Sequence, residues 1–529
     1  MSSSWNRIRN MTRRALFERS GLLAAGGLLS GRRSVAAPAA DELQLGSNLY
    51  ESVGVTPIVN CKGTFTIITG SLTLPEVKRA MDEASRHYVH MDELMNSVGA
   101  RLAELTKAEW GIVTAGCAAA LTHTTAACIA GTDPEKMQRL PNLEGLKNEV
   151  IIPLHSRNVY DHAVRMLGVK IVEVSSAQEL ESAINPKTAM IMIMASPRAE
   201  SGPLSTENIC KIARAKNVPV IVDAAAEFLT IPSIHLQRGA NMVAYSGGKC
   251  IRGPQSAGLL LGQKDLLQAA WLNSAPHHAF GRSLKVGKEE IMGMLAAVEM
   301  WVKRDHKAEW AQWVTWLNSI GEQVTKTAGV TTQIVQPDDL SNHAPQLRIQ
   351  WDGGALGITG KEVEDILLKG RPRIVLAGST GVRPERMASS VTIMPYMMMP
   401  DDHKTVAEAL HRVLSKPPRI ESPNPPSDKA VSIAGEWAVR IRYLLGSSSH
   451  NLTLEQAGTA LTGTHFGETL SGAVRGSVHG DDARFHSSHR IQGTSIGYDF
   501  RGKVSGDTMS GTVAMGEYGE AKWTATRKA

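Results

Sequence analysis

Lys249 stands in the run Tyr245-Ser-Gly-Gly-Lys-Cys-Ile-Arg-Gly-Pro-Gln-Ser-Ala-Gly258, hemmed in by Gly247, Gly248, Gly253, Pro254 and Gly258. A merely solvated lysine has no need of such a setting. A desolvated lysine amine, or one beside another cation, is a nucleophile that forms Schiff bases, and Arg252 is close by in sequence. Asp223 ends the apolar run Val218-Pro-Val-Ile-Val222 and precedes Ala224-Ala-Ala226. A carboxylate there either caps the next helix or holds a proton on a heteroaromatic nitrogen. The third feature is Thr114-Ala-Gly-Cys-Ala-Ala-Ala-Leu121, which follows the β-like run Trp110-Gly-Ile-Val113. If a helix opens at that glycine, the N–H groups of Gly116, Cys117 and Ala118 lie unpaired at its positive end and suit a phosphate. Small residues also begin helices that bind nothing, so this third signal is weak by itself.

These residues need elements to position them. Apolar β-type runs occur at Glu149–Leu154, Val169–Val174, Thr188–Met194, Val218–Asp223, Met242–Ser246 and Gly258–Gly262. Several are apolar throughout, as strands covered on both faces should be. Between them, 205–217 has helical period, with Ser205 or Thr206 as cap and Ile209, Ile212 and Ala213 on one face. The pattern predicts an α/β fold, a mostly parallel sheet between helical layers, with its ligand site at the carboxyl ends of the strands. Phosphate cradle, carboxylate and then lysine, all at strand ends, is the order found in fold-type-I pyridoxal phosphate (PLP) enzymes.

Residues 45–415 resemble the family of selenocysteine synthase (seryl-tRNA selenium transferase) and D-glucosaminate-6-phosphate ammonia-lyase. The resemblance rests on Val59-Asn-Cys-Lys-Gly-Thr-Phe-Thr-Ile-Ile-Thr-Gly70, on 108–121, on Val220-Ile-Val-Asp-Ala-Ala-Ala226 and, most specifically, on Ser246-Gly-Gly-Lys-Cys-Ile-Arg-Gly-Pro-Gln255. It implies that PLP is the cofactor, that Lys249 carries it as an imine, and that Asp223 pairs with the pyridinium nitrogen. Gly116, Cys117 and Ala118 would hold the cofactor phosphate, with Ser246 beside them. His155 or His162 either stacks on the ring or is a satisfied polar residue at the sheet edge. Arg282, Lys285 and Lys288 resemble a segment that reaches the phosphate, often across a dimer interface. Thr66 and Arg373 would meet the substrate, Arg373 as a bidentate fork for a carboxylate. A homodimer or higher homo-oligomer is implied, since such sites are usually shared between protomers.

The remainder of the chain bears on compartment and partners. Arg13-Arg14-Ala-Leu-Phe17, an apolar stretch from Ser20 to Gly31 and the small-residue run Val35–Ala40 have the order of a twin-arginine export signal, which predicts a periplasmic protein. The formal charge of +6 lies wholly within residues 1–40, so the remaining 489 residues are neutral and give no argument for nucleic acid. An exported, neutral protein does not suit the seryl-tRNA reaction. The five cysteines form no CxxC pair, which leaves neither a disulfide framework nor a zinc site, and no apolar run is long enough to span a bilayer. Five prolines at 416–429 predict a stiff linker. After it, 430–529 reads as about eight short alternating strands with glycine turns, a separable antiparallel barrel or sandwich. His479, His486 and His489 read there as solvent-facing strand or turn residues. The expected parts are a signal at 1–40, an N-terminal arm with the large PLP domain at 41–285, a small α/β domain at 286–415, the linker, and the β domain. The expected function is a PLP-dependent lyase acting on a small amino acid or amino sugar acid by α,β-elimination. An aminotransferase, a racemase and a non-catalytic PLP-fold scaffold are the alternatives.

Overall fold

The computed structural model describes residues 45–47, 49–383, 386–420 and 430–528. The export signal, and the linker from 421 to 429, lie outside the described residues. The first compact unit ends at Ile58, and its described part carries a 3-10 turn at Glu51–Val53. The second unit begins at Val59 and holds everything that follows.

The second unit starts with β1 (Val59–Cys61). Its main sheet comprises β2 (Trp110–Thr114), β3 (Glu149–Pro153), β4 (Lys170–Val174), β5 (Thr188–Met194), β6 (Val220–Asp223), β7 (Met242–Ser246) and β8 (Gly258–Gly262). In space the order is β2-β8-β7-β6-β5-β3-β4. All pairs are parallel except the two made by β8, which runs antiparallel to β2 and β7. Met190–Ile193, Val220–Val222 and Leu259–Leu261 are buried, as strands covered on both faces must be. Ser205 caps the helix Thr206–Ala215 through the Asn208 N–H, and Ile209 and Ala213 turn inward.

A second core lies around β9 (Thr331–Val335), β10 (Gln346–Asp352), β11 (Ile374–Leu376), β12 (Gly378–Val382) and β13 (Arg386–Ile393). β12, β13, β10 and β9 form one antiparallel sheet, while β11 pairs in parallel with β1, whose Cys61 is buried in this core. The helix Lys288–Lys303 packs in the first core through Ile291, Met294, Ala297, Val298 and Trp301. One apolar stripe of this helix, at helical period, faces the helices Pro75–Ser85 and Met91–Thr106.

From Gly435 to Arg527 eight antiparallel strands close into a barrel, the first pairing with the last through Trp437 and Arg527. Alternate residues fill it, among them Trp437, Leu452, Phe485, Phe500 and Trp523. The same alternation corrects one expectation. In the strand Asp482–Ile491, Ala483, Phe485, Ser487 and His489 point inward, so His489 is buried, while His486 faces solvent and pairs with Asp499 at 2.7 Å. Inside, His489 joins His450 and His465. His450 Nδ1 and His465 Nε2 are 2.8 Å apart, and His465 Nδ1 lies 2.7 Å from Ser487 Oγ.

The barrel is also not free of the catalytic part. The hairpin tip at 491–494 seats on the turn that follows β3. Gln492 Oε1 accepts from Arg157 Nη2 at 2.9 Å, and Arg157, 3% exposed, also donates to Asp161 Oδ2 at 2.6 Å. Gly493 lies directly against the Asn158 carbonyl and the Asp161 carboxylate, where no Cβ fits. Gly493→Val should therefore unseat the hairpin, at a cost of about 1–3 kcal/mol for forced overpacking. Small-angle scattering should show a larger radius of gyration with both bodies still folded; an unchanged value would mean that this contact does not hold the barrel.

Candidate active site

β2 ends at Thr114, whose Oγ1 donates to the Gly116 carbonyl at 2.8 Å, and the helix Gly116–Ala130 starts at once. Gly116 has φ +84°, a left-handed backbone that a side chain would strain. Gly258, opening β8, lies so close to the Gly116 carbonyl and the Cys117 N–H that a Cβ would collide with both. No side chain caps this helix, so its first N–H groups remain available to an anion.

Asp223, at the carboxyl end of β6, is 2% exposed. Its Oδ1 accepts from the Ala225 N–H at 3.1 Å and from the Cys117 thiol at 3.4 Å. Among the described residues no hydrogen bond reaches Oδ2. Burial pushes its carboxyl above the usual range, while the Ala225 N–H, Cys117 and the Lys249 ammonium pull the other way. Burial and the Asp223 charge hold the Cys117 thiol well above the ordinary thiol range, so it stays protonated and donates.

Lys249 sits in the bend between β7 and β8, and its Nζ donates to the Thr64 carbonyl at 2.6 Å. Burial lowers its pKa and so increases the share of neutral amine, while Cys117, Cys250 and Asp223 oppose the shift. Thr64 is itself fixed: its N–H donates to the Tyr396 hydroxyl at 3.1 Å, its Oγ1 lies 2.8 Å from the same oxygen, and that hydroxyl donates to Asn342 at 2.8 Å.

Of the residues expected from sequence, the structure brings together the Gly116–Ala118 helix start, Asp223 and Lys249. Ser246 closes β7 beside them, its N–H on the Ala225 carbonyl at 3.2 Å. His155 lies in the turn Leu154–Ser156 past β3, and β5 separates β3 from β6. Its Nε2 is buried without a partner, and burial and Arg198 lower its pKa, so the ring is neutral. His162, Arg282 and Lys285 are exposed, and Lys288 donates to the Ala84 carbonyl at 2.8 Å. Thr66 is exposed at the head of the turn Thr66–Ile68; Thr64, two residues earlier, makes the contact to Lys249 instead. Arg373 does not join the cluster. Its Nε donates to the Leu368 carbonyl at 3.0 Å, and it precedes β11 at the end of the β1–β11 pair remote from Thr64. Thr64, Tyr396 and Asn342 carried no local signal, since they meet only through contacts remote in sequence.

A family model described as aminotransferase class-V matches residues 155–281. A D-glucosaminate-6-phosphate ammonia lyase of Salmonella typhimurium is 31% identical over 328 residues, covering 60% of this chain and 86% of the relative. A 5'-C-glycyluridine monooxygenase-decarboxylase of a Streptomyces species is 28% identical, covering 69% and 92%. An L-seryl-tRNA(Sec) selenium transferase of Proteus mirabilis is 25% identical over 25% of this chain and 32% of its own. A solved D-glucosaminate-6-phosphate ammonia-lyase superposes with TM-score 0.61 at 27% identity, over 69% of this chain and 98% of its own. None of these shares a segment long enough to include both the catalytic part and the barrel. The chain belongs to the family of ammonia-lyase and selenium-transferase-like enzymes built on the fold-type-I PLP scaffold.

Proposed function

We propose that the chain is a PLP-dependent lyase that removes ammonia from a small amino acid or amino sugar acid by α,β-elimination. The observation that carries this reading is the buried Asp223, whose Oδ1 is held by Ala225 and Cys117 while no hydrogen bond among the described residues reaches Oδ2, on the same site as a Lys249 amine whose pKa burial lowers. That donor set fits PLP: Asp223 would hold the ring nitrogen, the N–H groups of Gly116, Cys117 and Ala118 the phosphate, and Lys249 the aldehyde carbon. When bound, PLP supplies an electron sink for the pair left on the substrate α-carbon.

The protein's own groups do the rest. Cys117 and the Ala225 N–H fix the Asp223 carboxylate so that its free oxygen faces one direction. Lys249, once its amine is free, takes the α-proton as general base. The carbonyl of Thr64, a residue fixed through its N–H and hydroxyl by Tyr396, accepts from the ammonium so formed and keeps it in place. A leaving group on the β-carbon then departs, and hydrolysis gives a 2-oxo acid and ammonia.

Ammonia and oxo acid are expected from a panel of β-hydroxy amino acids and 2-amino sugar acids with no added oxo acid, equally in air and without oxygen. Turnover only with an amino acceptor would make the chain an aminotransferase. Turnover only with oxygen would place it with its oxygenase-decarboxylase relative.

The same proposal makes the enzyme periplasmic and at least a homodimer. Replacing Arg13 and Arg14 with lysine should trap it in the cytoplasm; undiminished export would defeat that part.

A further inference from the structure

A cavity of about 480 Å³ opens beside the Lys249 bend, where the helix Lys288–Lys303 gives way to His306–Val324. Its volume suits one small ligand. Aromatic rings line much of it: Phe228 meets Trp301 edge-on at 4.6 Å, and Trp313 meets the Tyr396 ring at 6.2 Å. Trp310, half-buried, packs 5.3 Å from His343, and both line the cavity.

The charged part of this wall is three cations, Arg252, Arg304 and Lys307, against one carboxylate, Glu309. Arg304 is committed, donating to the Cys250 and Ile251 carbonyls at 3.1 and 3.4 Å, with Glu309 3.9 Å away. Arg252 is not. Its Nε donates to the Leu72 carbonyl at 3.1 Å, and among the described residues its two terminal amino groups have neither a hydrogen bond nor an ion pair. Burial, and then the neighbouring Arg304, press Arg252 below the ordinary arginine range, while Glu309 and Glu76 act the other way. Arg252 also has φ +59°, a backbone that ordinary side chains avoid, so its placement is held against strain.

We propose that this cavity is a ligand site for a small aromatic carboxylate, its ring against Trp310 and Trp313 and its carboxylate on Arg252. A planar guanidinium with two free amino groups matches a carboxylate bidentately, and indole faces take flat apolar bodies. The cavity shares Tyr396 with the Thr64–Lys249 contact, and its test is separable from the lyase reading because occupancy is measured without turnover and without the Lys249 amine.

Titration calorimetry on the full chain with 2-naphthoate, 2-naphthamide and acetate tests it. Saturable binding of 2-naphthoate is expected, with the amide and acetate at least tenfold weaker. Arg252→Gln should bring 2-naphthoate down to the level of the amide, Arg252→Lys should restore part of the difference, and Trp310→Ala should weaken acid and amide alike. Lys249→Ala should leave the affinity within twofold. The proposal is overturned by no saturable binding, by an amide that binds as tightly as the acid, or by loss of binding in Lys249→Ala, which would put the ligand on the catalytic amine instead.

Discussion

Lys249→Ala is expected to lose at least about a thousandfold in turnover, within the range by which a positioned general base accelerates a reaction. It should also lose any covalent hold on PLP: borohydride will fix the cofactor to the peptide carrying Lys249 in the natural chain and to no peptide in the variant. Asp223→Ala separates the two roles. It keeps the amine and the helix start, so some cofactor stays attached, but turnover falls because the ring nitrogen loses its partner. Cys117→Ser, which preserves a donor to Asp223 Oδ1, should retain most activity. Unfolding curves matching the natural chain would show that these losses come from chemistry. A Lys249→Ala protein that still turns over would remove Lys249 from the mechanism.

Acid should weaken the barrel steeply. His465 is fully buried and its pKa is lowered to about 3, chiefly by burial and then by His489 and His450. His450 and His489 are lowered as well, mainly by burial, with Glu468 acting weakly against the shift at His450. Tyr443 reaches this end through Ser448, and the Tyr498 ring packs on His465, but neither brings a charge. A histidine kept neutral by the fold binds its proton only on unfolding. Its contribution is whole above the unfolded pKa of about 6.5 and is lost as pH falls from there toward 3. For His465 alone the full loss is about 4–5 kcal/mol. Urea unfolding of the full chain at pH 7.5, 5.5 and 4.5 should show stability falling with pH, and His465→Asn should flatten the slope. An equal slope in both proteins would mean that other groups carry the acid sensitivity.

Much of this architecture was legible because it is local. Met242–Ser246 and Gly258–Gly262 are strands with the bounds their apolar runs suggest, and glycine spacing alone singled out the bend that carries Lys249. Asp223 and Cys117 could be read as strand-end residues, although their mutual hydrogen bond could not. Thr64 is different. It acts through a backbone carbonyl, which any residue possesses, and is placed by Tyr396, 332 positions away. Arg373 misled because guanidinium chemistry fits a carboxylate wherever the arginine happens to stand, whereas this one satisfies a helix-end carbonyl. The buried histidines were within reach: His489 has the same parity as Phe485, and His450 the same as Leu452 and Leu454.

The strand β1 joins two bodies that the chain otherwise builds separately. Its Cys61 is part of the second core, paired across to Leu376 of β11, and only three residues later the Thr64 carbonyl receives the Lys249 ammonium of the first. Thr64 is thus the short arm of a lever whose long arm is the second core. A 2.6 Å hydrogen bond is lost once its atoms part by about 1 Å more. The hold on the Lys249 ammonium therefore depends on residues of the second part of the chain, through Tyr396 and β1, as much as on the bend that carries the lysine.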